Sequence, residues 1–176
     1  ILETYTKEYS AEYQSQALID LAKKLKSKIK NLNQIKKIDI FTSHHTHYGR
    51  GTGANDPQKM DPSASRETLD HSIMYIFAVA LEDASWHHIN SYKKSRANKK
   101  STIKIWRSIK THEDKKWTRK YHDPNPKNKS FGAKVVVTLN NNKKIIEKLD
   151  KADAHPYGLR PFVRKNYINK FLTLTK

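Results

Sequence analysis

Apolar residues follow a helical spacing near the start of the chain and a two-residue spacing soon after it. The helical stripe predicts an amphipathic helix over residues 13–30, with its buried face formed by Leu18, Leu21, Ala22, Leu25 and Ile29. Ile38 and Ile40 then alternate with Lys37 and Asp39, which predicts a strand over Ile35–Thr42. The chain therefore begins with a helix and a strand that each bury one face.

The longest apolar run predicts the centre of the domain. A helix is predicted over residues 65–82, capped by Ser63 or Ser65, and its second half, residues 73–81, is apolar on every side. A long loop is predicted before it, over residues 43–63, because three of the five glycines lie there together with two prolines. A loop of this length is usually functional or disordered.

The rest of the chain predicts a short strand, two helices, a loop and a hairpin. The strand covers residues 86–92, and the helices cover residues 101–110 and 160–173, with Pro161 in the first turn of the last helix. Residues 123–130 read as a loop, and the hairpin pairs Ala133–Leu139 with residues 143–149 around three asparagines. This mixture predicts an α+β fold, a small sheet with helices packed on it, in a single domain over residues 1–176.

Composition narrows the class of protein. The apolar content of 36% is low for a self-sufficient domain, so we expect a partner or a further part of a longer protein to cover some apolar surface. The first residue, Ile1, suggests a processed product, a fragment or the ordered part of something longer. The absence of cysteine excludes a disulfide scaffold and a thiolate zinc site, and it suits a reducing compartment. The sequence contains no apolar run that could span a bilayer and no signal-peptide pattern.

The charge balance leaves two interpretations open. Lys and Arg number 35 against 17 Asp and Glu, which gives a formal net charge of +18. Such an excess attracts polyanions, but it is also compatible with an ordinary solvated basic surface. If RNA is the partner, the basic stretches 13–37 and 93–120 would face its phosphates, with Trp106 and Trp117 available for contacts.

Residues 42–92 carry most of the candidate chemistry. A strand through their histidine-rich start would place His45 and His47 on one side and His44 on the other. No thiolate or clear carboxylate follows at ligand spacing, so a substrate-facing or loop-ordering role is favoured over a metal site. The glycines that follow lack the pattern of a phosphate-binding loop.

Three further side chains in this stretch are candidates for binding or proton transfer. Arg66, in the first turn of the central helix, can grip a carboxylate with two hydrogen bonds or pair with Glu67 or Asp70. Tyr75 lies in the apolar helix, where a buried phenol normally finds one hydrogen-bond partner and needs a shifted pKa or a strong partner to move a proton. His71 lies four residues earlier, on the same face of the predicted helix, and can orient Tyr75 or face the loop.

Several long motifs, in order, resemble one known family. They are TSHHTHY, GTGANDPQKMDPSASRETLDHSIMYIFAVALED, WHHINSY, WTRKYHDPNP, ADAHPYGLRPF and KNYINKF. Together they resemble the 2-methylcitrate dehydratase (MmgE/PrpD) family, and the first residues, YTKEYSAEYQSQALIDLA, resemble the start of that family's second domain. The resemblance covers nearly the whole chain.

The resemblance implies a fold and an activity. Family members have a large all-helical domain followed by a smaller α+β lid domain, with the active site between the two, and this chain resembles the lid alone. The family dehydrates 2-methylcitrate to 2-methyl-cis-aconitate in propionate breakdown without an iron–sulfur cluster, and a relative, cis-aconitate decarboxylase, uses the same fold. These relationships imply a tricarboxylate substrate, no cofactor, a missing helical domain or partner chain, and a homodimer. The location would be the cytoplasm in a bacterium or the mitochondrial matrix in a eukaryote.

The resemblance also implies site residues. A basic residue near the start of the lid and a tyrosine on its central helix match Lys7 and Tyr75, while Glu12 stands where the decarboxylase branch has a histidine. Ala84 replaces a common turn glycine. We therefore expect catalytic roles for Lys7, Tyr75 and His71, substrate contacts from His44, His45, His47, Arg66 and Glu12, and no metal. The alternative is a catalytically inactive lid that serves as a scaffold or an RNA-binding component of a larger assembly.

Overall fold

A four-stranded mixed sheet forms one layer of the molecule. The computed structural model describes residue 5 and residues 7–175. The strands are β1 (Ile35–Thr42), β2 (Ile109–Glu113), β3 (Ala133–Leu139) and β4 (Lys144–Leu149), and they lie in the order β2-β1-β3-β4. β1 runs parallel to β2 and antiparallel to β3, and β3 and β4 form an antiparallel pair.

Helices supply the second layer and the connections. They are α1 (Gln16–Lys28), α2 (His44–Arg50), α3 (Arg66–Asp70), α4 (Ile73–Asp83), α5 (Lys94–Ala97), α6 (Lys100–Arg107), α7 (Lys115–Tyr121) and α8 (Arg164–Leu174). Short 3-10 helices cover Tyr13–Ser15, Leu32–Gln34, Thr52–Ala54, Pro57–Met60 and Asn90–Tyr92. The predicted α+β class is confirmed.

The core lies between the sheet and α1 and extends to α4, which packs on α1 and α6. α1 packs against α4 and also contacts β3 and β4, while α6 packs against α4. All of residues 73–81 are buried, as their continuous apolar character predicts. Trp106 of α6 is fully buried, and Trp117 of α7 is only 4% exposed. The expectation that these two tryptophans are available to RNA is therefore wrong.

Local sequence signals predict several elements correctly. β1 has the predicted bounds, and α1 lies inside the predicted helix 13–30. The β3–β4 hairpin is confirmed, and Asn142 has the left-handed φ of 62° that an asparagine tolerates in a turn. Residues 123–130 contain no helix or strand, as predicted.

The predicted loop over residues 43–63 is largely helical. Ser43 accepts a hydrogen bond from the backbone amide of Thr46 and so begins α2. Further along, Asp56 accepts from the amide of Gln58 at the start of Pro57–Met60. The glycines do not act as left-handed hinges, because none has a positive φ. The histidine segment is therefore a helix, and the predicted alternation of a strand is wrong.

The helix predicted over residues 65–82 is broken near Ser72. Ser65 caps α3, which ends at Asp70, and Ser72 caps α4 by accepting from the amide of Tyr75 at 3.3 Å. The Ser72 hydroxyl also donates to the carbonyl of Lys59 at 2.7 Å, which fixes the break. A residue that caps a new helix has an extended backbone, so one continuous helix cannot form.

Two other predictions fail where side chains or distant strands decide the structure. Residues 86–92 are not a strand, because Nδ1 of His87 accepts from the amides of Ile89 and Asn90 and makes a turn. The helix predicted over residues 101–110 ends at Arg107, because the following residues form β2 beside β1. Parallel pairing of this kind leaves little trace in local sequence.

The last helix begins later than predicted. The amide of Arg160 donates to the carbonyl of Asp153 at 2.7 Å, and the amide of Val163 donates to the side chain of Asn166 at 3.0 Å. α8 therefore begins at Arg164, and Pro161 lies outside it. None of the helix's described residues is buried. The described chain contains no helix with the length and apolar character needed to cross a membrane.

Candidate functional site

The segment of residues 7–12 runs over the junction between α3 and α4. The backbone amide of Glu12 donates to Oδ1 of Asp70 at 2.9 Å. The hydroxyl of Tyr92 donates to the same carboxylate and lies 3.2 Å from the carbonyl of Ser10. Asp70 therefore joins the N-terminal segment, α3 and the segment before α5 at one point.

A surface pocket of about 310 Å³ opens beside this junction. Arg66 lies at its edge, where the guanidinium donates to the carbonyl of His88 at 3.0 Å and lies 4.9 Å from the centre of the Tyr92 ring. Arg66 does not make the predicted ion pair with Glu67 or Asp70 among the described residues. The pocket is lined by Lys7, Ser10, Ala11, Arg66, Glu67, Asp70 and Tyr92.

A second group of charges lies next to Asp70. Nε2 of His71 is 3.2 Å from a carboxylate oxygen of Glu12, and Nε of Arg50 is 3.4 Å from the same oxygen. Arg50 is the last residue of α2, so the histidine-rich helix reaches the N-terminal segment through this ion pair. The structure thus brings together four of the eight predicted site residues, Lys7, Glu12, Arg66 and His71.

The Tyr92 hydroxyl is a neutral phenol at the wall of the pocket, with its proton directed to Asp70. Burial raises the pKa of its hydroxyl well above the usual value, and the hydrogen bond to Asp70 and the negative charge of that carboxylate raise the pKa further. The phenol therefore stays protonated at neutral pH. Sequence reasoning missed Tyr92, Asp70 and Arg50, because their role arises from contacts between distant segments.

Tyr75 lies inside the core beside this site. The residue is fully buried, its hydroxyl donates to the carbonyl of Ser91 at 2.5 Å, and its ring packs edge-on against Trp106. Burial raises the pKa of Tyr75 to about 12, so the phenol is neutral. Its predicted role in proton transfer stays a prediction, and in this arrangement Tyr75 contacts the site through the backbone next to Tyr92.

His71 does not orient Tyr75. It caps the end of α3, whereas Tyr75 belongs to α4, so the two residues do not share the face of one helix. The side chain of His71 is 45% exposed and pairs with Glu12. The expectation that His71 acts through Tyr75 is wrong, because the helix break at Ser72 changes the direction of the chain.

The three histidines of α2 contact β2 and α7. His44 pairs with Glu113 at 3.1 Å, the ring of His45 lies 5.2 Å from that of Tyr121, and Nδ1 of His47 is 2.7 Å from the hydroxyl of Thr111. These contacts hold α2 in place. Their predicted contact with substrate stays a prediction.

Burial governs the charge of His47. It lowers the pKa of the imidazole, and nearby His112 lowers the pKa further. The ring therefore remains neutral at neutral pH. A neutral His47 can keep its hydrogen bond to Thr111, which suits a role in ordering α2.

One group of possible metal ligands occurs among residues 5 and 7–175. The ligand atoms of Glu12, Asp70 and His71 all lie within 4.8 Å of one another. Glu12 already pairs with Arg50 and His71, and Asp70 already accepts from Tyr92 and from the Glu12 amide. A cation would have to replace these partners, so the geometry fits an internal network of hydrogen bonds and ion pairs better than a metal centre.

The fold and the site define an α+β domain that presents a basic and phenolic pocket at its surface. The sequence model of the MmgE/PrpD C-terminal domain matches residues 9–176, and the chain belongs to this family. The family is broadly of hydro-lyase type. The matched region includes Glu12, Arg66, Asp70, His71 and Tyr92, while Lys7 lies two residues before it.

Proposed function

We propose that the chain is the lid half of a hydro-lyase that dehydrates 2-methylcitrate to 2-methyl-cis-aconitate. The observation that carries the proposal is the meeting of Lys7 and Arg66 at one open pocket beside Asp70 and Tyr92. Eliminating water from a tricarboxylate requires cations for the carboxylates, a base for the carbon-bound proton and an acid for the leaving hydroxide. Membership of the MmgE/PrpD family supports this reaction class.

The charges around the pocket favour a carboxylate ligand. The carboxylate of Glu12 is paired with Arg50 and His71, and that of Asp70 accepts two hydrogen bonds. Among the described residues, the ammonium of Lys7 has no ion-pair partner, and Arg66 uses one donor on a backbone carbonyl. The remaining donors can hold carboxylates of the substrate, Lys7 as a point charge and Arg66 with two parallel hydrogen bonds.

Proton transfer falls to His71 in this proposal, and Tyr92 contacts the substrate. An imidazole can act as a general base, and a carboxylate oxygen of Glu12 holds the ring of His71 at 3.2 Å. The proton that His71 takes from carbon can then leave with the hydroxide as water, while the Tyr92 hydroxyl, whose own proton is directed to Asp70, can accept a hydrogen bond from the substrate. Glu12 then orients His71 instead of contacting substrate directly.

A second structural unit completes the site in this proposal. The pocket is open, and among residues 5 and 7–175 eight of the eleven exposed large hydrophobic side chains lie between residues 157 and 174. A single-domain surface rarely leaves so many apolar side chains together without a partner. An all-helical domain that covers α8 and closes the pocket accounts for both features.

The test is a reconstitution. The 176-residue chain, alone and mixed with or joined to an all-helical MmgE/PrpD domain, is assayed for dehydration of 2-methylcitrate. We expect turnover only in the completed protein, with at least a tenfold loss for Lys7→Met and for Arg66→Met. Lys143→Met is the matched control, because Lys143 is an exposed lysine at the β3–β4 turn, away from the pocket. Its rate should equal that of the unmodified chain.

Each other outcome contradicts a distinct part of the proposal. Turnover by the isolated chain at the rate of the completed protein rejects the half-site. Equal rates for Lys7→Met, Arg66→Met and Lys143→Met reject this pocket as the substrate site. If the completed protein has no turnover, but the chain binds RNA with an affinity that falls steeply with salt, the scaffold alternative is favoured.

A further inference from the structure

The segment that carries Lys7 and Glu12 is held by side chains instead of by regular secondary structure. Residues 8–12 belong to no helix or strand. The carbonyl of Ser10 accepts from Nε1 of Trp86 at 3.1 Å and lies 3.2 Å from the hydroxyl of Tyr92, whose proton is donated to Asp70. The conformation of this segment therefore depends on hydrogen bonds from other parts of the fold.

Gln16 makes the densest set of these contacts. Its Oε1 accepts from the backbone amide of Tyr9 at 3.0 Å, and its Nε2 donates to the carbonyl of Tyr9 at 3.0 Å and to that of Ala11 at 3.2 Å. The side-chain amide thus pairs with both polar groups of one residue, as a neighbouring strand would. Gln16 is 2% exposed, so water cannot replace these hydrogen bonds without a structural change.

The Gln16 side chain has no capping role in its own helix. It is the first residue of α1, and the residue before it, Ser15, makes no side-chain capping bond. The next contact of the Gln16 side-chain amide is with the carbonyl of Glu12 at 3.4 Å, and Glu12 also belongs to the segment. Its polar atoms therefore act on residues 9–12.

We propose that Gln16 is a positioning residue, which fixes the segment so that Lys7 faces the pocket and Glu12 meets His71. The identity of the ligand rests on the proposed function. The role of Gln16 in holding the segment rests on its hydrogen bonds alone. Lys7 lies two residues before the paired Tyr9, and Glu12 lies directly after the paired Ala11. Without the side-chain amide of Gln16, the backbone amide of Tyr9 and the carbonyl of Ala11 lose a hydrogen-bond partner. The segment then detaches, and the side chains of Lys7 and Glu12 lose their positions.

The test compares Gln16→Met with Gln14→Met. Both residues are buried glutamines beside the same segment, but Gln14 reaches only the hydroxyl of Tyr121, at 3.4 Å, and its Oε1 has no partner. Hydrogen exchange of the amides of Tyr9 and Glu12 is measured, together with binding of citrate as a probe. The 176-residue chain is suitable because it contains its own hydrophobic core.

We expect Gln16→Met to speed exchange of these amides about tenfold, the ratio for loss of one hydrogen bond, and to weaken citrate binding by a similar factor. Gln14→Met should change both by less than twofold. The amides of α4 should exchange at unchanged rates in both variants, because α4 makes no hydrogen bond to Gln16. Unchanged exchange in Gln16→Met, or an equal increase in Gln14→Met, overturns the proposal.

Gln16→Glu provides a second variant with a pH-dependent result. An ionised carboxylate can accept from Tyr9 but cannot donate to the two carbonyls, whereas the protonated acid regains one donor. Relative to the unmodified chain at each pH, the exchange defect should shrink as the acid becomes protonated, at a pH above the ordinary glutamate pKa of about 4.3, because burial and the two carbonyls disfavour the carboxylate. Gln16→Met should show no such recovery, and a pH-independent defect in Gln16→Glu contradicts the positioning role.

The two proposals fail in different ways. If the unmodified chain and the completed protein do not bind citrate, the proposed function fails, while the exchange rates still decide whether Gln16 holds the segment. If exchange rises in Gln16→Met but citrate binding is unchanged, Gln16 is a structural residue and the positioning role is rejected.

Discussion

The backbone amide of Glu12 donates a 2.9 Å hydrogen bond to the carboxylate of Asp70, although the two residues lie 58 positions apart in the sequence. The Tyr92 hydroxyl donates to the same oxygen, so a single carboxylate aligns three segments. Asp70 is half-buried, and neither of its partners has another carboxylate in reach among the described contacts. The arrangement of the pocket therefore depends on one acidic side chain.

Replacing Asp70 should cost stability and binding together. Asp70→Ala leaves the Glu12 amide and the Tyr92 hydroxyl without their acceptor, which we expect to lower the free energy of unfolding by about 1–3 kcal/mol. Glu67→Ala is the control, because Glu67 lines the same pocket but is exposed. Its effect should stay within about 0.5 kcal/mol in urea unfolding. Equal effects of the two variants would show that Asp70 is not the organising carboxylate.

The hydroxyl of Tyr75 has a measurable structural role. Tyr75→Phe removes the donor to the buried carbonyl of Ser91 and should lower the free energy of unfolding by about 1–3 kcal/mol. Tyr48→Phe, at a residue that is 49% exposed, should have no comparable effect. Steady-state kinetics of the completed protein then separates a structural role of Tyr75 from a role in proton transfer. A large fall in kcat at unchanged stability would establish the predicted proton transfer by Tyr75, and an unchanged kcat would make Tyr75 a structural residue.

The residue that follows α4 offers a stabilising substitution. Ala84 has a left-handed φ of 53°, a conformation that is costly for a residue with a Cβ atom and natural for glycine. Ala84→Gly should raise the free energy of unfolding by about 0.5–1 kcal/mol, since relief of strain exceeds the added entropy of the unfolded chain. Asn55→Gly, at φ 50°, should gain less because asparagine tolerates this region. A thermal melt that shows Ala84→Gly less stable than the unmodified chain contradicts the prediction that the backbone of Ala84 is strained.

His155 should make the fold sensitive to acid. Burial lowers the pKa of its imidazole to about 4, and the positive charge of Lys151 contributes in the same direction. The unfolded chain, with an ordinary histidine pKa near 6.5, therefore binds a proton that the folded chain does not bind between those pH values. Stability should fall as the pH decreases from about 6.5 towards 4.

The variant His155→Asn tests this dependence. Nδ1 of His155 accepts from the amide of Tyr157 at 3.0 Å, and the asparagine oxygen can take over that hydrogen bond without titrating. Urea unfolding between pH 4 and 7 should show a shallower slope for His155→Asn than for the unmodified chain. His122→Asn, at an exposed histidine, should leave the slope unchanged. Parallel slopes for all three proteins would exclude His155 as the source.

The sequence predicts the elements whose determinants are local. The two-residue alternation around Ile38 and Ile40 defines β1, and the asparagine turn defines the hairpin. The sequence predicts Ser72 inside one long helix, because a serine beside an apolar run carries no sign of whether its hydroxyl caps a new helix. β2 was missed because its partner strand lies far away in the sequence, and strand pairing of this kind is not visible in a short window.

The candidate site was only partly predictable for the same reason. Arg66, His71 and Glu12 stand out as charged or titratable residues near a buried helix, and the structure brings them to one region. Asp70 and Tyr92 have ordinary local surroundings, and only the folded chain gives them a shared hydrogen bond. For the α2 histidines the sequence predicts contact with a ligand, whereas the contacts in the structure hold α2 against β2 and α7.

The parallel pairing of β1 and β2 has a consequence for how this domain can change. All of α2 to α6, with Arg66, Asp70, His71 and Tyr92, lies in the stretch 43–108 between two strands that are hydrogen-bonded neighbours. The entropy of closing such a stretch rises slowly with its length, by only about 0.6 kcal/mol for each doubling. Residues can therefore be gained or lost in its exposed turns at little thermodynamic cost, and the pocket can be reshaped for a different acid while the sheet beneath it stays the same.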